Sequence, residues 1–207
     1  MTEHVDAMTL KMTGRLVVAV LAGGEGRRMG GVKALRPFRG TPLVAHAAAL
    51  ARRWSDEIVV VVRDPAQVTG AVEAPLALDD PQIPGPLAGL AAALGYARAR
   101  GADFLLTLPC DMPNLPEDLA ARLAASLTSE RGGALPTAGG ELQPVCGLWR
   151  VGALDRLAAY LAAGRSSLRG FAEVCGLVTI DFGAEAVRAF ANANTPEELE
   201  QLAREAP

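Results

Sequence analysis

A glycine-rich loop with three cations directly follows an apolar run near the start of the chain. The segment LAGGEGRRMGGVK, residues 21–33, contains five glycines, two arginines and one lysine. Gly23 and Gly24 allow the backbone to turn tightly after a strand and to present N–H groups to phosphate oxygens. Arg28 and Lys33 can supply the countercharge. The segment therefore predicts a phosphate-binding loop, and the alternative is a glycine-rich turn whose charges are solvated.

The loop matches neither of the two most familiar phosphate-binding motifs. A Walker A motif ends in Gly-Lys-Ser or Gly-Lys-Thr, whereas Lys33 is followed by Ala34. The dinucleotide motif GxGxxG fits residues 24–29 only if Met29 takes the place of the last glycine. The loop is therefore expected to serve another class of phosphate ligand.

A carboxylate at the end of a second apolar run is the other group suited to phosphate chemistry. In FLLTLPCDMPNLP, residues 104–116, Asp111 is the single acidic residue in the turn after a predicted buried strand. Mg²⁺ takes oxygen ligands of this kind and keeps other positions for phosphate oxygens and water. Asp111 is therefore a candidate metal ligand and catalytic residue. The alternative is that Asp111 only caps the turn before the next helix.

The elements that must position these groups alternate along the chain. Short runs rich in β-branched residues alternate with Ala/Leu-rich amphipathic stretches, which is typical of βαβ crossovers. We predict an α/β fold in which a mostly parallel sheet lies between two layers of helices. The predicted strands are residues 16–21, 58–62, 104–108, 134–137, 143–149 and 178–182, and the predicted helices are residues 43–53, 87–100, 116–129, 151–163, 168–175 and 196–204.

The ends of these elements indicate where a ligand should bind. In open α/β sheets, ligands bind at the carboxyl ends of the strands. Here the corresponding loops follow Leu21, Val62, Leu108 and Trp149. The two candidates for phosphate binding, the glycine-rich loop and Asp111, lie in the first and third of these loops. At the last helix, Thr195 is expected to act as the cap.

Composition limits the class of protein. With 207 residues, half of them hydrophobic, the chain is long enough for one compact domain, predicted over residues 15–207, after a flexible extension over residues 1–14. A net charge of −3 argues against nucleic acid as a partner, and no apolar run is long enough to span a membrane. Three widely spaced cysteines fit neither a disulfide framework nor a metal site, so we expect a reducing, cytoplasmic location.

The order of the two motifs resembles the nucleotidyltransferases that activate a sugar phosphate or a pterin phosphate with a nucleoside triphosphate. The matching patterns are A-G-G-x-x-x-R-M-G-x-x-K after the first strand and C-D-x-P after the third. The resemblance implies a Rossmann-like three-layer α/β/α fold, with Arg28, Lys33 and Asp111 as catalytic residues and Mg²⁺ on Asp111. The nucleotide would contact Leu21, Ala22, Gly23, Gly24, Lys33, Asp79 and Asp111.

The family often has Asp immediately before the Lys, where this chain has Val32. The resemblance also places GPLAGL, residues 85–90, beside the nucleoside, and an acidic residue just upstream commonly contacts the nucleotide. Asp79 or Asp80 can fill that role, with the spacing favouring Asp79. Alternatively, both belong to a solvated turn.

Two C-terminal segments narrow the resemblance to the molybdenum cofactor guanylyltransferases. They are QPVCGLWR, residues 143–150, and NANTPEEL, residues 192–199. The resemblance implies transfer of GMP from GTP to the terminal phosphate of molybdopterin, with release of pyrophosphate. Asn192 and Asn194 would bind the pterin, although both could instead be turn and capping residues. Arg165 and Arg169 are further candidates for its phosphate, or else solvated cations at an exposed helix end.

The resemblance also implies partner proteins, and alternative functions remain to be considered. Molybdenum insertion proteins and target molybdoenzymes or their chaperones are the partners it implies, together with the two substrates. A cytidylyltransferase acting on the same pterin is the nearest alternative, followed by another small-substrate nucleotidyltransferase. A nucleotide-binding protein without activity is a third, but Lys33 and Asp111 together argue against it, since binding alone does not require a metal carboxylate.

Overall fold

The computed structural model describes residues 14–24, 32–128 and 131–205. Most of the predicted N-terminal extension, and the part of the glycine-rich loop that contains Arg28, therefore lie outside the described residues. In chain order the strands are β1 (Leu16–Leu21), β2 (Pro37–Phe38), β3 (Thr41–Pro42), β4 (Ile58–Val62), β5 (Leu76–Leu78), β6 (Phe104–Pro109), β7 (Gly133–Ala138), β8 (Glu141–Leu142), β9 (Gly147–Arg150) and β10 (Leu177–Asp181). The α-helices are α1 (Leu43–Ala51), α2 (Pro86–Ala99), α3 (Leu119–Ala125), α4 (Leu154–Ala162), α5 (Leu168–Val174) and α6 (Pro196–Glu205).

One mixed sheet forms the centre of the molecule, with strands in the order β10-β7-β9-β6-β1-β4-β5 and β8 paired to β7. The neighbours β6, β1, β4 and β5 run parallel to one another, whereas β9 is antiparallel to both β6 and β7. The predicted mostly parallel sheet is thereby confirmed. The parallel part matters most here, because it aligns the carboxyl ends of β1, β4, β5 and β6 at one edge.

The apolar core lies on both faces of the sheet. Val18 and Val20 of β1 pack in a cluster with residues of α1, whereas Val17 and Ala19 belong to the opposite cluster with residues of α2. A strand buried on both faces reads as a continuous apolar run, which explains the sequence of β1. The three-layer arrangement predicted from the alternation of elements is confirmed.

Several predicted boundaries are wrong for local reasons. The strand expected over residues 143–149 begins at Gly147, because Gln143 to Cys146 form a turn in which the Cys146 N–H donates to the Gln143 carbonyl. Pro144 within this turn has no N–H for a strand ladder. The helix expected over residues 116–129 is shorter, at Leu119–Ala125, after a separate turn at Pro116.

Three short strand pairings were not predicted from the sequence. β2 and β3 form a hairpin around Arg39 and Gly40, which have φ angles of 51° and 81°. The first position of such a two-residue turn usually holds Asn, Asp or Gly, and Arg39 takes that position before Gly40. β5 and β8 have three and two residues, which is too short for an alternating pattern. None of the helices in the described part of the chain is long and apolar enough to cross a membrane.

Candidate active site

The loops at the carboxyl ends of β1 and β6 are joined directly and enclose a cavity. The Cys110 N–H donates to the Leu21 carbonyl at 3.1 Å, which holds the loop after β6 against the end of β1. The cavity has a volume of about 850 Å³. The predicted site residues that line it include Leu21, Ala22, Gly23, Gly24, Lys33, Asp79, Asp111, Asn192 and Asn194.

Lys33 lies at the centre of a cluster of polar groups. The residue is only 8% exposed and begins a 3-10 turn over Lys33–Leu35. Its Nζ forms an ion pair with Asp111 Oδ2 and donates a hydrogen bond to Asn194 Oδ1 at 2.8 Å. These contacts join residues that are 78 and 161 positions apart in the sequence. The cluster brings together the predicted phosphate lysine, the predicted metal ligand and one predicted pterin residue.

Asp79 lies at another side of the cavity and has a different environment. Its side chain is 11% exposed, and Oδ1 is buried without a hydrogen-bond partner among the described residues. Arg63 lies beside it, with its Nε 4.0 Å from Asp79 Oδ2. Burial raises the pKa of Asp79, and the positive charge of Arg63 opposes that rise without cancelling it.

The structure separates Asp79 from its neighbour Asp80. The Asp79 N–H donates to the Val62 carbonyl at 2.9 Å, which fixes the residue at the end of β5 beside β4. Asp80 is exposed, and its Oδ1 accepts a hydrogen bond from the Gln82 N–H at 2.8 Å. Asp80 therefore stabilises a local turn, and Asp79 is the carboxylate that lines the cavity.

Gly23 makes room for the Asp79 carboxylate, because a Cβ atom added there would lie 2.7 Å from Asp79 Oδ2. A Cβ atom added at Gly89 would be in ordinary van der Waals contact, 3.6 Å from Asp79 Oδ1. Gly89 belongs to α2, whose first residue, Pro86, follows Gly85 with a φ of 65°. The amino end of α2 and the loop after β1 thus form opposite walls around one carboxylate.

The C-terminal segment reaches the cavity through a capped helix. The Glu198 N–H donates to Thr195 Oγ1 at 3.2 Å, so Thr195 caps α6 as predicted. Asn192 and Asn194 line the cavity just before this cap. Arg165 and Arg169 are elsewhere: the Arg165 guanidinium lies 4.6 Å from the Tyr160 ring centroid, and Arg169 pairs with Glu173 at 3.5 Å.

Sequence reasoning missed other residues that line the cavity, among them Arg63, Met112 and Val145. Arg63 follows β4 directly, so the rule that ligands bind at the carboxyl ends of parallel strands could have identified it. Met112 is adjacent to Asp111, whereas nothing in the local sequence indicates the position of Val145.

The donor set suits a divalent cation only with help from a ligand. No group of three or more His, Cys, Asp or Glu side chains that could hold a metal occurs among residues 14–24, 32–128 and 131–205. Asp111 offers a single carboxylate, so a Mg²⁺ ion here would take its remaining ligands from phosphate oxygens and water, as is usual for this ion. Cys110 supplies no reactive thiolate, because burial raises its pKa to about 12.

Comparison with known proteins connects this geometry to a protein family. The model of the MobA-like NTP transferase domain matches residues 18–175. A molybdenum cofactor guanylyltransferase of Cereibacter sphaeroides is 44% identical over 187 residues, which cover 89% of this chain and 94% of the relative. One from Shewanella amazonensis is 36% identical over 196 residues, covering 93% and 98%.

A crystal structure with the same fold is that of molybdopterin-guanine dinucleotide biosynthesis protein A from Archaeoglobus fulgidus. Its TM-score is 0.72 at 24% identity, with 91% of this chain and 97% of that chain covered. At this identity the likeness supports the three-layer fold.

Proposed function

The chain belongs to the MobA-like NTP transferase family, and we propose that it transfers GMP from GTP to the terminal phosphate of molybdopterin. Pyrophosphate would be released and the guanine dinucleotide form of the cofactor produced. The observation that carries this proposal is the meeting of Lys33, Asp111 and Asp79 in one cavity at the carboxyl ends of parallel strands. The relatives above, which carry the name of this activity, match this chain over nearly its whole length.

The nucleoside end of GTP is assigned to the side of the cavity that contains Asp79. A buried carboxylate oxygen without a partner requires a hydrogen-bond donor, and a ligand is the available source. Guanine presents its N1–H and its amino group side by side, so one carboxylate can accept from both. Cytosine presents an amino group beside an acceptor nitrogen, which would repel the second carboxylate oxygen. This difference supports GTP over CTP.

The triphosphate is assigned to the side that contains Lys33. The N–H groups of Gly23 and Gly24 and the ammonium group of Lys33 provide hydrogen bonds and positive charge where the leaving pyrophosphate gains negative charge. Arg28, predicted to contact the triphosphate, lies outside the described residues and remains part of the proposal. A Mg²⁺ ion held by Asp111 would neutralise further phosphate charge when bound.

The chemical step needs no protein nucleophile. A terminal phosphate oxygen of molybdopterin attacks the α-phosphorus of GTP, a new P–O bond forms, and the bond to pyrophosphate breaks. A phosphate monoester is largely deprotonated near neutral pH, so the protein contributes position and charge rather than a general base. Asn192 and Asn194 are the groups assigned to the pterin. Residues 15–207 would act as one domain, since the C-terminal segment completes a cavity built by the first strands.

The first experiment is a thermal-shift titration of the purified protein with GTP, CTP, ATP and UTP in the presence of Mg²⁺. A ligand that binds only the native state raises the melting temperature as its saturation rises. A shift confined to GTP supports the proposal, and a shift confined to CTP supports the cytidylyltransferase. Pyrophosphate release that depends on added molybdopterin then separates an enzyme from a nucleotide-binding protein.

A further inference from the structure

The Lys33 ammonium group has two partners of different charge. Asp111 is a carboxylate, whereas the Asn194 amide oxygen is a neutral acceptor at 2.8 Å. A buried lysine is costly unless it is paired and hydrogen-bonded, and both conditions are met here. The two partners differ in how much of the positive charge of Lys33 remains available to a phosphate. Asp111 neutralises the lysine, while Asn194 orients it and leaves its charge intact.

The backbone on both sides of Asn194 is fixed. The preceding Ala193 is fully buried, and its N–H donates to the Asp111 carbonyl at 2.9 Å. On the other side, the Asn194 N–H donates to Glu198 Oε2 at 2.6 Å. Glu198 lies in the first turn of α6, which Thr195 caps. The start of the C-terminal helix is thus tied to the loop after β6, with the Asn194 amide directed at Lys33.

Asn192 differs from Asn194 although it lines the same cavity. Its side chain makes no hydrogen bond within the described part of the chain, so its amide is available to a ligand. The Asn194 oxygen is already engaged by Lys33. The spacing of two residues places both amides at the cavity, but only one of them contacts a cation of the site.

We propose that Asn194 is a positioning residue for the triphosphate, acting through Lys33, and that Asn192 is the member of the pair that binds the pterin. This inference rests on the proposed function, because it requires Lys33 to contact the phosphates of GTP. The C-terminal helix then contributes to nucleotide affinity without touching the nucleotide. Once a nucleotide draws Lys33 away from Asp111, the neutral amide keeps the ammonium group aligned.

A double-mutant cycle with GTP binding as its readout tests the inference without any pterin present. Asn194→Ala is expected to weaken GTP binding, measured by calorimetry, by about tenfold, the size of one hydrogen bond to a charged group. In a Lys33→Met background the same change is expected to have no further effect, because residues acting through one contact are not additive. Asn192→Ala, the matched control, should keep the wild-type GTP affinity and raise KM for molybdopterin.

Additive losses in the cycle would overturn the inference, since Asn194 would then act independently of Lys33. So would unchanged GTP affinity in Asn194→Ala together with a raised KM for molybdopterin. If the wild-type protein itself binds no GTP, both the proposed function and the inference fail. If the wild-type protein binds GTP but the losses in the cycle are additive, only the inference fails. Melting temperatures of all variants, measured in parallel, show whether unfolding contributes to a loss of GTP binding.

A second variant probes the same arrangement from the helix. Glu198→Ala alters neither Asn194 nor Lys33 but removes the acceptor of the Asn194 N–H. GTP binding should weaken by about threefold, less than in Asn194→Ala, because one neutral-donor hydrogen bond is lost and the backbone retains its other contacts. Equal affinity in Glu198→Ala and the wild type would contradict the role given to the helix.

Discussion

The two sides of the cavity treat buried charge in opposite ways. At one side, Lys33, Asp111 and Asn194 satisfy one another in the protein alone. At the other side, Asp79 has one buried oxygen without a hydrogen-bond partner among the described residues, and Arg63 Nε lies 4.0 Å from its other oxygen. A ligand that supplies hydrogen-bond donors to Asp79 therefore removes the free-energy cost of a buried oxygen without a hydrogen bond. A ligand that reaches Lys33 must compete with a contact that already exists.

This difference assigns the two sides to different stages of the reaction. Interactions equally strong in the bound substrate and in the transition state change affinity, whereas those that strengthen as charge develops change turnover. In the proposed function, Asp79 would contact a part of the nucleotide that does not react, so its contribution should appear in binding. Lys33 and Asp111 would face the phosphates, so their contribution should appear mainly in the rate.

The largest effect is expected at Asp111. Asp111→Asn keeps the size of the side chain and an oxygen acceptor for Lys33 but removes the charge that would hold Mg²⁺. We expect pyrophosphate release with GTP and molybdopterin to fall by about a thousandfold or more, as for the loss of a major electrostatic group. Circular dichroism should show that the fold is retained. A near-normal rate in Mg²⁺ would exclude Asp111 as the metal ligand.

The next effect is expected at Lys33. Lys33→Met keeps the apolar stem in the buried position and removes the ammonium group. Loss of this positive charge should lower kcat/KM for GTP by about a hundredfold, with a fall in kcat as well as in affinity, because the pyrophosphate gains charge as it leaves. Steady-state rates over a range of GTP concentrations measure both. A change confined to KM would remove the distinction between the two sides of the cavity.

The sequence predicted Lys33 and Asp111 individually, because their loops follow apolar strands and strand ends carry the ligand groups of α/β folds. Asp79 was predicted from the family resemblance, since the short strand β5 before it was not predicted. The sequence could not predict that Lys33 contacts Asn194, since the two are 161 positions apart and meet only when α6 packs against Phe38 of β2 and Leu43 of α1. Similarly, it favoured Asp79 over Asp80 by spacing alone and left Asp80 open, because the choice depends on the direction in which the chain leaves β5. Long apolar strands were predicted almost to the residue, whereas two-residue strands such as β8 leave no periodic pattern.

A smaller effect is expected at Asp79. Asp79→Asn replaces one acceptor oxygen by an amide nitrogen at constant size, so GTP should bind about tenfold more weakly while kcat changes little. Asp80→Asn is the matched control, since Asp80 only accepts from Gln82 in an exposed turn and its variant should bind GTP like the wild type. Equal affinities of the two variants would contradict the assignment of the nucleoside to this side. A selective gain of CTP binding in Asp79→Asn would strengthen it.

The smallest effect concerns stability in the absence of any nucleotide. Because burial raises the pKa of Asp79, the folded protein binds a proton at this site more tightly than the unfolded chain does. The contribution of Asp79 to the free energy of unfolding therefore becomes less favourable as the pH rises from the unfolded value of 3.8 through the raised native pKa. At neutral pH the charged carboxylate destabilises the fold.

Asp79→Asn should accordingly melt at a higher temperature than the wild type at pH 7, by a few degrees. The difference should shrink as the pH is lowered through the raised native pKa and should be smallest below 3.8, where the wild-type carboxyl is protonated in both states. Asp80→Asn, which changes an exposed side chain, should melt like the wild type at pH 7. The same substitution would thus stabilise the free protein and weaken GTP binding, which is the behaviour expected of a carboxylate kept without a partner for a ligand. If Asp79→Asn instead lowers the melting temperature at pH 7, Asp79 is held by contacts that stabilise its charge, and the contrast between the two sides of the cavity disappears.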